Sequence, residues 1–164
     1  MAARMKKFTT IELEVPASGE VFTHHNGDTG ITRTFAVELM RNLMQKHGDK
    51  VHLVKLARME IDPGHVANTL TNMGIEPDRL VRLVDPWLHQ PCISILESYD
   101  DPSGVRMIDG HHRLVKLHSM GETHFDCWIF LPALWEQFLL ANPTREDWRT
   151  MNSGVLEREK SNVR

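Results

Sequence analysis

Val105-Arg106-Met107-Ile108-Asp109-Gly110-His111-His112-Arg113-Leu114 reads as a strand, a glycine, and a helix that opens on two imidazoles and a guanidinium. A helix start presents unpaired N–H groups and partial positive charge, and a glycine there lets an anion come close to the backbone. Arg113 adds a planar donor fork suited to phosphate, and His112 a second donor, so Gly110 to Arg113 have the makings of a phosphate cradle. Asp109, just before the glycine, is placed to accept a proton or to hold Mg²⁺. The same pattern also describes an ordinary capped helix with solvated polar residues, because strand–Gly–helix turns are common.

The chain has ten histidines. His24-His25, beside Asn26-Gly27-Asp28, together with His111, His112, His118 and Asp109, would supply imidazole and carboxylate ligands for a transition metal. The recognised ligand spacings are absent, and surface histidines are the commoner reading. His47, His52, His65 and His89 have no companion ligands nearby in sequence. His118 follows on the same predicted helix as His112 but is rotated well away from it. Trp135, Phe138, Leu139 and Trp148 suggest an aromatic surface for a partner or for stacked bases, but their helical spacing favours core packing. Arg79, Arg82, Lys55 and Arg58 are ordinary charge placements unless folding gathers them near Arg113.

These residues need elements to position them. Ile11, Leu13 and Val15 alternate with polar residues between Phe8 and Val15, as in a half-buried strand that ends at Pro16. Ala17 to Gly30 reads as a loop or short hairpin. Thr32 or Thr34 would cap an amphipathic helix carrying Phe35, Leu39, Leu43 and Met44, with Gly48 as its stop. Val51 to Leu56 is a short strand, and Pro63 opens a helix that turns Val66, Leu70 and Met73 inward and stops at Gly74. Asp78 opens another helix, with Leu80, Leu83 and Val84 apolar, before Pro86 and Pro91 break the chain. Cys92 to Glu97 and Val105 to Ile108, around a turn at Asp100 to Gly104, form a hairpin. His112 to Met120 is a helix burying Leu114, Val115 and Leu117, with Gly121 after it. A strand then alternates Phe125, Cys127, Ile129 and Leu131 with His124, Asp126, Trp128 and Phe130. Helices follow over Ala133 to Leu140 and Arg145 to Met151, the second with Thr144 and Asp147 as a capping box, and Asn152 to Arg164 is expected to fray. The sum is an α+β domain with a small mixed sheet.

Composition narrows the function classes. A length of 164 residues with 41% hydrophobic and 25% charged residues fits one globular domain. Nineteen basic against 22 acidic residues give a net charge of −3, so no global positive field draws the chain onto nucleic acid or anionic lipid. No apolar run approaches a membrane span, and Thr9-Thr10 follow the basic start where a signal-peptide core would stand, so a cytoplasmic address is expected. Cys92 and Cys127, outside any Cys-x-x-Cys pair, disfavour a disulfide framework and a cysteine zinc site.

The segment Val51 to Leu131 resembles the ParB/sulfiredoxin superfamily. In that superfamily a strand delivers a motif of the type Gly-x-x-Arg, or Asp-Gly-His-x-Arg, onto a helix start. Here the motif reads Ile108-Asp109-Gly110-His111-His112-Arg113, followed by Leu114, Lys116 and Met120-Gly121, after Ile61-Asp62-Pro63 and Pro91-Cys92-Ile93. The resemblance implies a ParB/sulfiredoxin-like core over 51–131, and the residue pattern around it leaves an extension of strand and helix over 1–50 packed on that core, C-terminal helices over 132–151, and a flexible tail over 152–164. It also implies binding of a nucleotide or another phosphate-bearing ligand, with ATP, ADP or CTP and Mg²⁺ as the group bound.

The branches of the superfamily imply different activities. Sulfiredoxins carry Gly-Cys-His-Arg, which puts His111 at the redox cysteine and His112 and Arg113 at the phosphate-binding positions. A histidine cannot form the sulfur-linked intermediate, so that activity is disfavoured. ParB proteins proper add DNA-binding and dimerisation regions, for which Pro132 to Arg164 is too short. The free-serine kinases use an acidic general base after the first strand, and Glu60 in Met59-Glu60-Ile61 is the nearest match. With Asp109, Glu60 is the candidate catalytic residue for a phosphotransferase or nucleotide hydrolase. The alternatives are a non-catalytic module that binds nucleic acid or protein, and a metal-dependent ParB-like nuclease, although no carboxylate cluster stands out to hold two metals.

Overall fold

The computed structural model describes residues 7–141 and 145–159. The chain divides into two compact units, Met1–Val54 with Leu131–Arg164, and Lys55–Phe130, where length alone suggested one domain. The architecture is α+β, with small sheets and helices packed together. Among the described residues no helix is long and apolar enough to cross a membrane.

The first unit begins with β1 (Phe8–Glu12), which buries Ile11 as the alternation requires. Strands β2 (Phe22–His25) and β3 (Thr32–Phe35) form an antiparallel hairpin over Asn26–Gly30, where Asn26 Oδ1 accepts the N–H groups of Asp28 and Thr29. Thr32 and Thr34, expected to cap a helix, therefore lie in a strand. The Thr34 hydroxyl meets that of Thr23 across the hairpin at 3.1 Å, and β-branched residues suit a pleated surface. Helix α1 (Val37–His47) starts later, with Ala36 at its cap and no side-chain cap bond, and buries Val37, Leu39, Met40 and Leu43. Gly48 does not leave it in a left-handed turn but continues into a 3-10 turn over Gly48–Lys50.

The second unit takes in all but the first residue of β4 (Val54–Glu60), shifted toward the C-terminus from the expected Val51 to Leu56. Helix α2 (Pro63–Asn72) is capped by the Asp62 side chain, which accepts from the Gly64 N–H at 3.0 Å. It buries Val66 and Thr69, whereas Leu70, expected inside, is exposed and Met73 only half-buried. Helix α3 (Pro77–Arg82) opens at Pro77, and Val84 beyond it is exposed. Strands β5 (Cys92–Ser98) and β6 (Asp101–Asp109) make the expected hairpin, although β6 already begins inside the segment expected to turn. Helix α4 (His111–Ser119) buries Leu114, Val115 and Leu117, and Gly121 after it takes φ +82°. Strand β7 (His124–Phe130) runs parallel to β5, which gives a mixed four-stranded sheet in the order β4-β7-β5-β6. Cys92, Leu114, Leu117, Phe125 and Cys127 are central to its core, joined by Val66 of α2.

The chain then returns to the first unit. The long helix expected over Ala133 to Leu140 is instead α5 (Pro132–Trp135), a 3-10 turn (Glu136–Phe138) and β8 (Leu139–Leu140), which pairs with β3. Trp135 and Phe138 are buried, and the main chain is taken up by β3 and the segment after it: the Phe138 carbonyl accepts from the Ala36 N–H, and Leu139 and Leu140 pair with Phe35 and Thr34. Trp148, on α6 (Arg145–Thr150), is buried as well, and Leu139 alone of the four proposed surface residues is exposed. Thr144, the expected capping residue, lies outside the described residues. The tail expected to fray contains β9 (Gly154–Arg158), paired antiparallel with β1. Its polar composition hid a strand because only Val155 and Glu157 face inward.

Candidate functional site

The β5–β6 hairpin and α4 position the motif, all within the second unit. Gly110 takes φ +104°, a left-handed conformation that ends β6 and starts α4 within one residue. A Cβ there would stand 2.8 Å from Cys92 Cβ and 3.3 Å from Arg113 Nη2. The glycine thus serves close packing of strand against helix, in addition to any approach by a ligand.

Arg113 turns inward. Its Nη1 donates to the carbonyls of Gln90 and Pro91, each at 3.1 Å, and its Nη2 to Asp109 Oδ2 at 3.0 Å. Both side chains are nearly buried, 11% and 10% exposed. The guanidinium is therefore a clamp that ties the segment before β5 to the end of β6. Asp109 Oδ2 is committed to that clamp, so a Mg²⁺ ion on this carboxylate would lie against the Arg113 charge. The residues present do not fit the metal there.

His111 sits at the first position of α4 and is largely buried. Burial, with His65 and His112 nearby and only Asp109 opposing, pushes its imidazole down from 6.5 to about 4, so it is neutral at neutral pH. His112 Nε2 accepts the Glu76 N–H at 3.1 Å, which leaves its Nδ1 as the protonated nitrogen of the neutral ring. His65, in the first turn of α2, is the residue that sequence reasoning missed. Its signal was Asp62-Pro63, which marks a helix start of its own, but only tertiary packing of α2 on α4 brings that start to the motif. The two helix starts differ. Asp62 caps α2 with its side chain, whereas the cap position of α4 is Gly110, which has none, and the first turn of α4 has no acidic residue.

Other candidates fall elsewhere. Glu60 is exposed at the end of β4, where Ile61 donates to Thr123 just before β7. In the order β4-β7-β5-β6 it stands three strand spacings, about 14 Å, from the strand that ends in Asp109. His118 is exposed at the far end of α4, His24 and His25 are on β2 in the other unit, and His89 pairs with Asp85. Arg58 approaches Asp126 at 3.8 Å, and Lys116 Nζ donates to the Leu80 carbonyl at 2.7 Å. Among the described residues no group of three or more His, Cys, Asp or Glu is placed to hold a metal ion. Cys92 and Cys127 are free and buried, and burial raises their thiols to about 12 and about 11, so neither is a thiolate nucleophile.

Comparison of the chain with known protein families, with characterised proteins and with solved structures found no match in any of the three.

Proposed function

We propose that the protein binds a phosphate-bearing ligand of the nucleotide class at the start of α4, and that it does so as a binding module. The observation that carries this reading is the start of α4, with a left-handed glycine at its cap, no acid in its first turn, and the imidazoles of His111 and His65 beside it. Backbone N–H groups and the helix dipole supply the attraction, and the neutral imidazole of His111 adds a donor without placing a fixed charge. Arg113 supports the site from behind, by holding Asp109 and the segment before β5.

Transfer or hydrolysis of phosphate is supported less well. Asp109 and Arg113 are engaged with each other, and Glu60 stands at the opposite edge of the sheet. The nuclease reading would need grouped carboxylates, and none are grouped among the described residues.

The test is thermal unfolding with ATP, ADP and CTP, with and without Mg²⁺, on the wild type and on His112→Glu. A carboxylate in the first turn of α4 favours the helix but repels an anion. We expect a ligand-dependent rise in Tm for the wild type and its loss in His112→Glu, with the ligand-free Tm retained. No shift with any nucleotide at millimolar concentration overturns the proposal. Release of inorganic phosphate or a phosphorylated acceptor from ATP would move the reading from binding to catalysis.

A further inference from the structure

The first unit holds a two-stranded sheet, β9-β1, whose two outer edges are treated differently. The outer edge of β9 is closed by one side chain. Gln137 Oε1 accepts the Leu156 N–H at 2.7 Å, and Gln137 Nε2 donates to the Leu156 carbonyl at 3.0 Å, as a neighbouring strand would. The outer edge of β1 has no strand partner among the described residues. The Lys7 carbonyl accepts from the Glu159 N–H, and the Leu13 N–H donates to the Ser153 carbonyl. Strand alternation therefore directs the N–H and C=O groups of Thr10 and Glu12 to the open edge.

A cavity of about 620 Å³ runs along that edge. Thr9, Thr10, Ile11 and Glu12 all line it. Four consecutive residues from both faces of a strand meet one cavity only along its edge. The opposite wall is the end of α1 and the segment after it, His47, Asp49, Lys50 and His52, and Glu159 adds to the rim. Three carboxylates, Glu12, Asp49 and Glu159, stand against a single lysine.

We propose that this groove receives an extended peptide segment carrying basic side chains, which adds to β1 as a third strand. Exposed strand edges pair readily with an extended chain, and the pairing gives affinity through the backbone while side chains set specificity. A two-stranded ribbon also gains most from a third strand. The wall His47–His52 favours a free peptide over a second folded copy, whose own β1 is flanked by the same wall. This site lies in the other unit from the start of α4 and is independent of the ligand proposed there.

The probe is a short fluorescent peptide alternating valine and lysine, read by anisotropy with the full chain. Two controls are a peptide N-methylated at alternate residues, with its charge unchanged, and an all-L peptide alternating valine and glutamate. The protein variant is Thr10→Pro, which removes a donor from the open edge and leaves the β1–β9 ladder intact. Its fold is checked by circular dichroism and Tm. We expect saturable binding of the basic peptide, weakened about tenfold by Thr10→Pro and by N-methylation. The acidic peptide should bind at least about tenfold more weakly. Equal binding of methylated and unmethylated peptides, or of basic and acidic peptides, overturns the proposal, as does no binding at millimolar concentration. A dimer of the chain that Thr10→Pro dissociates and the peptide does not displace also overturns it, in favour of self-association. A Thr10→Pro chain that fails to fold leaves the peptide comparison to decide.

Discussion

Arg113 shows how a residue type suited to one task can be used for another. A guanidinium fork fits two carbonyls and a carboxylate as well as it fits a phosphate, and here the protein itself fills it. Replacing Arg113 with Ala strands a nearly buried Asp109 carboxylate and two carbonyls, so we expect a loss of about 3–5 kcal/mol in urea unfolding. Arg113→Ala in an Asp109→Ala background should cost far less, and a double-mutant cycle measures the coupling. Near-additive losses would show that the pair is not the clamp described. His111 makes a separate prediction. Its imidazole titrates near 4 in the folded chain but at its ordinary 6.5 when unfolded, so the unfolded state binds the extra proton in between. Stability is unaffected above that window and falls as pH drops from about 6.5 toward about 4. NMR titration of the His111 ring checks this directly, and a midpoint at the ordinary value would refute it.

At the scale of elements, β9 is held by more than its ladder with β1. Glu157 is fully buried, and its Oε1 accepts the N–H groups of His52 and Leu53 at 2.8 Å and of Arg158 at 3.1 Å. Its Oε2 is buried with no hydrogen-bond partner. Burial raises this carboxyl above its ordinary 4.5 despite the three donors. The sign is opposite to that of His111: the folded chain holds the proton more tightly, so the contribution is full below 4.5 and is lost as pH rises through the raised value. Glu157→Gln keeps the accepting oxygen and removes the charge, so its stability should be less dependent on pH than that of the wild type. Glu157→Ala leaves the donors without an acceptor and should cost about 1–3 kcal/mol for each buried one. Thermal unfolding across pH separates these outcomes, and a Gln variant with the wild-type pH profile would remove Glu157 from the account.

For the molecule as a whole, the first unit is built from the two ends of the chain and the second from a continuous stretch between them. Strand β1 depends on β9, and β3 on β8 as well as β2. A chain ending at Phe130 therefore deprives β1 of its only described partner. We expect its amides to exchange hydrogen at near-unprotected rates in that truncation, while the amides of β5 and β7 stay protected. Retained protection in β1 would show that the first unit does not need the returning segment.

Local chemistry determined a good part of this protein. The β5–β6 hairpin, α4 with its buried Leu114, Val115 and Leu117, the strand end at Gly110 and the left-handed Gly121 were legible because turn residues and periodicity act within a few neighbours. Tertiary structure decided what those neighbours could not. It made Thr32 to Phe35 a strand by giving it β2 and β8, and it made Gly154 to Arg158 a strand by giving it β1. It turned Arg113 inward and brought His65 to His111, because the partners of a donor fork and of a helix start lie far away in sequence. Residue types set which interactions were available; the pairing of distant segments set which of them were made.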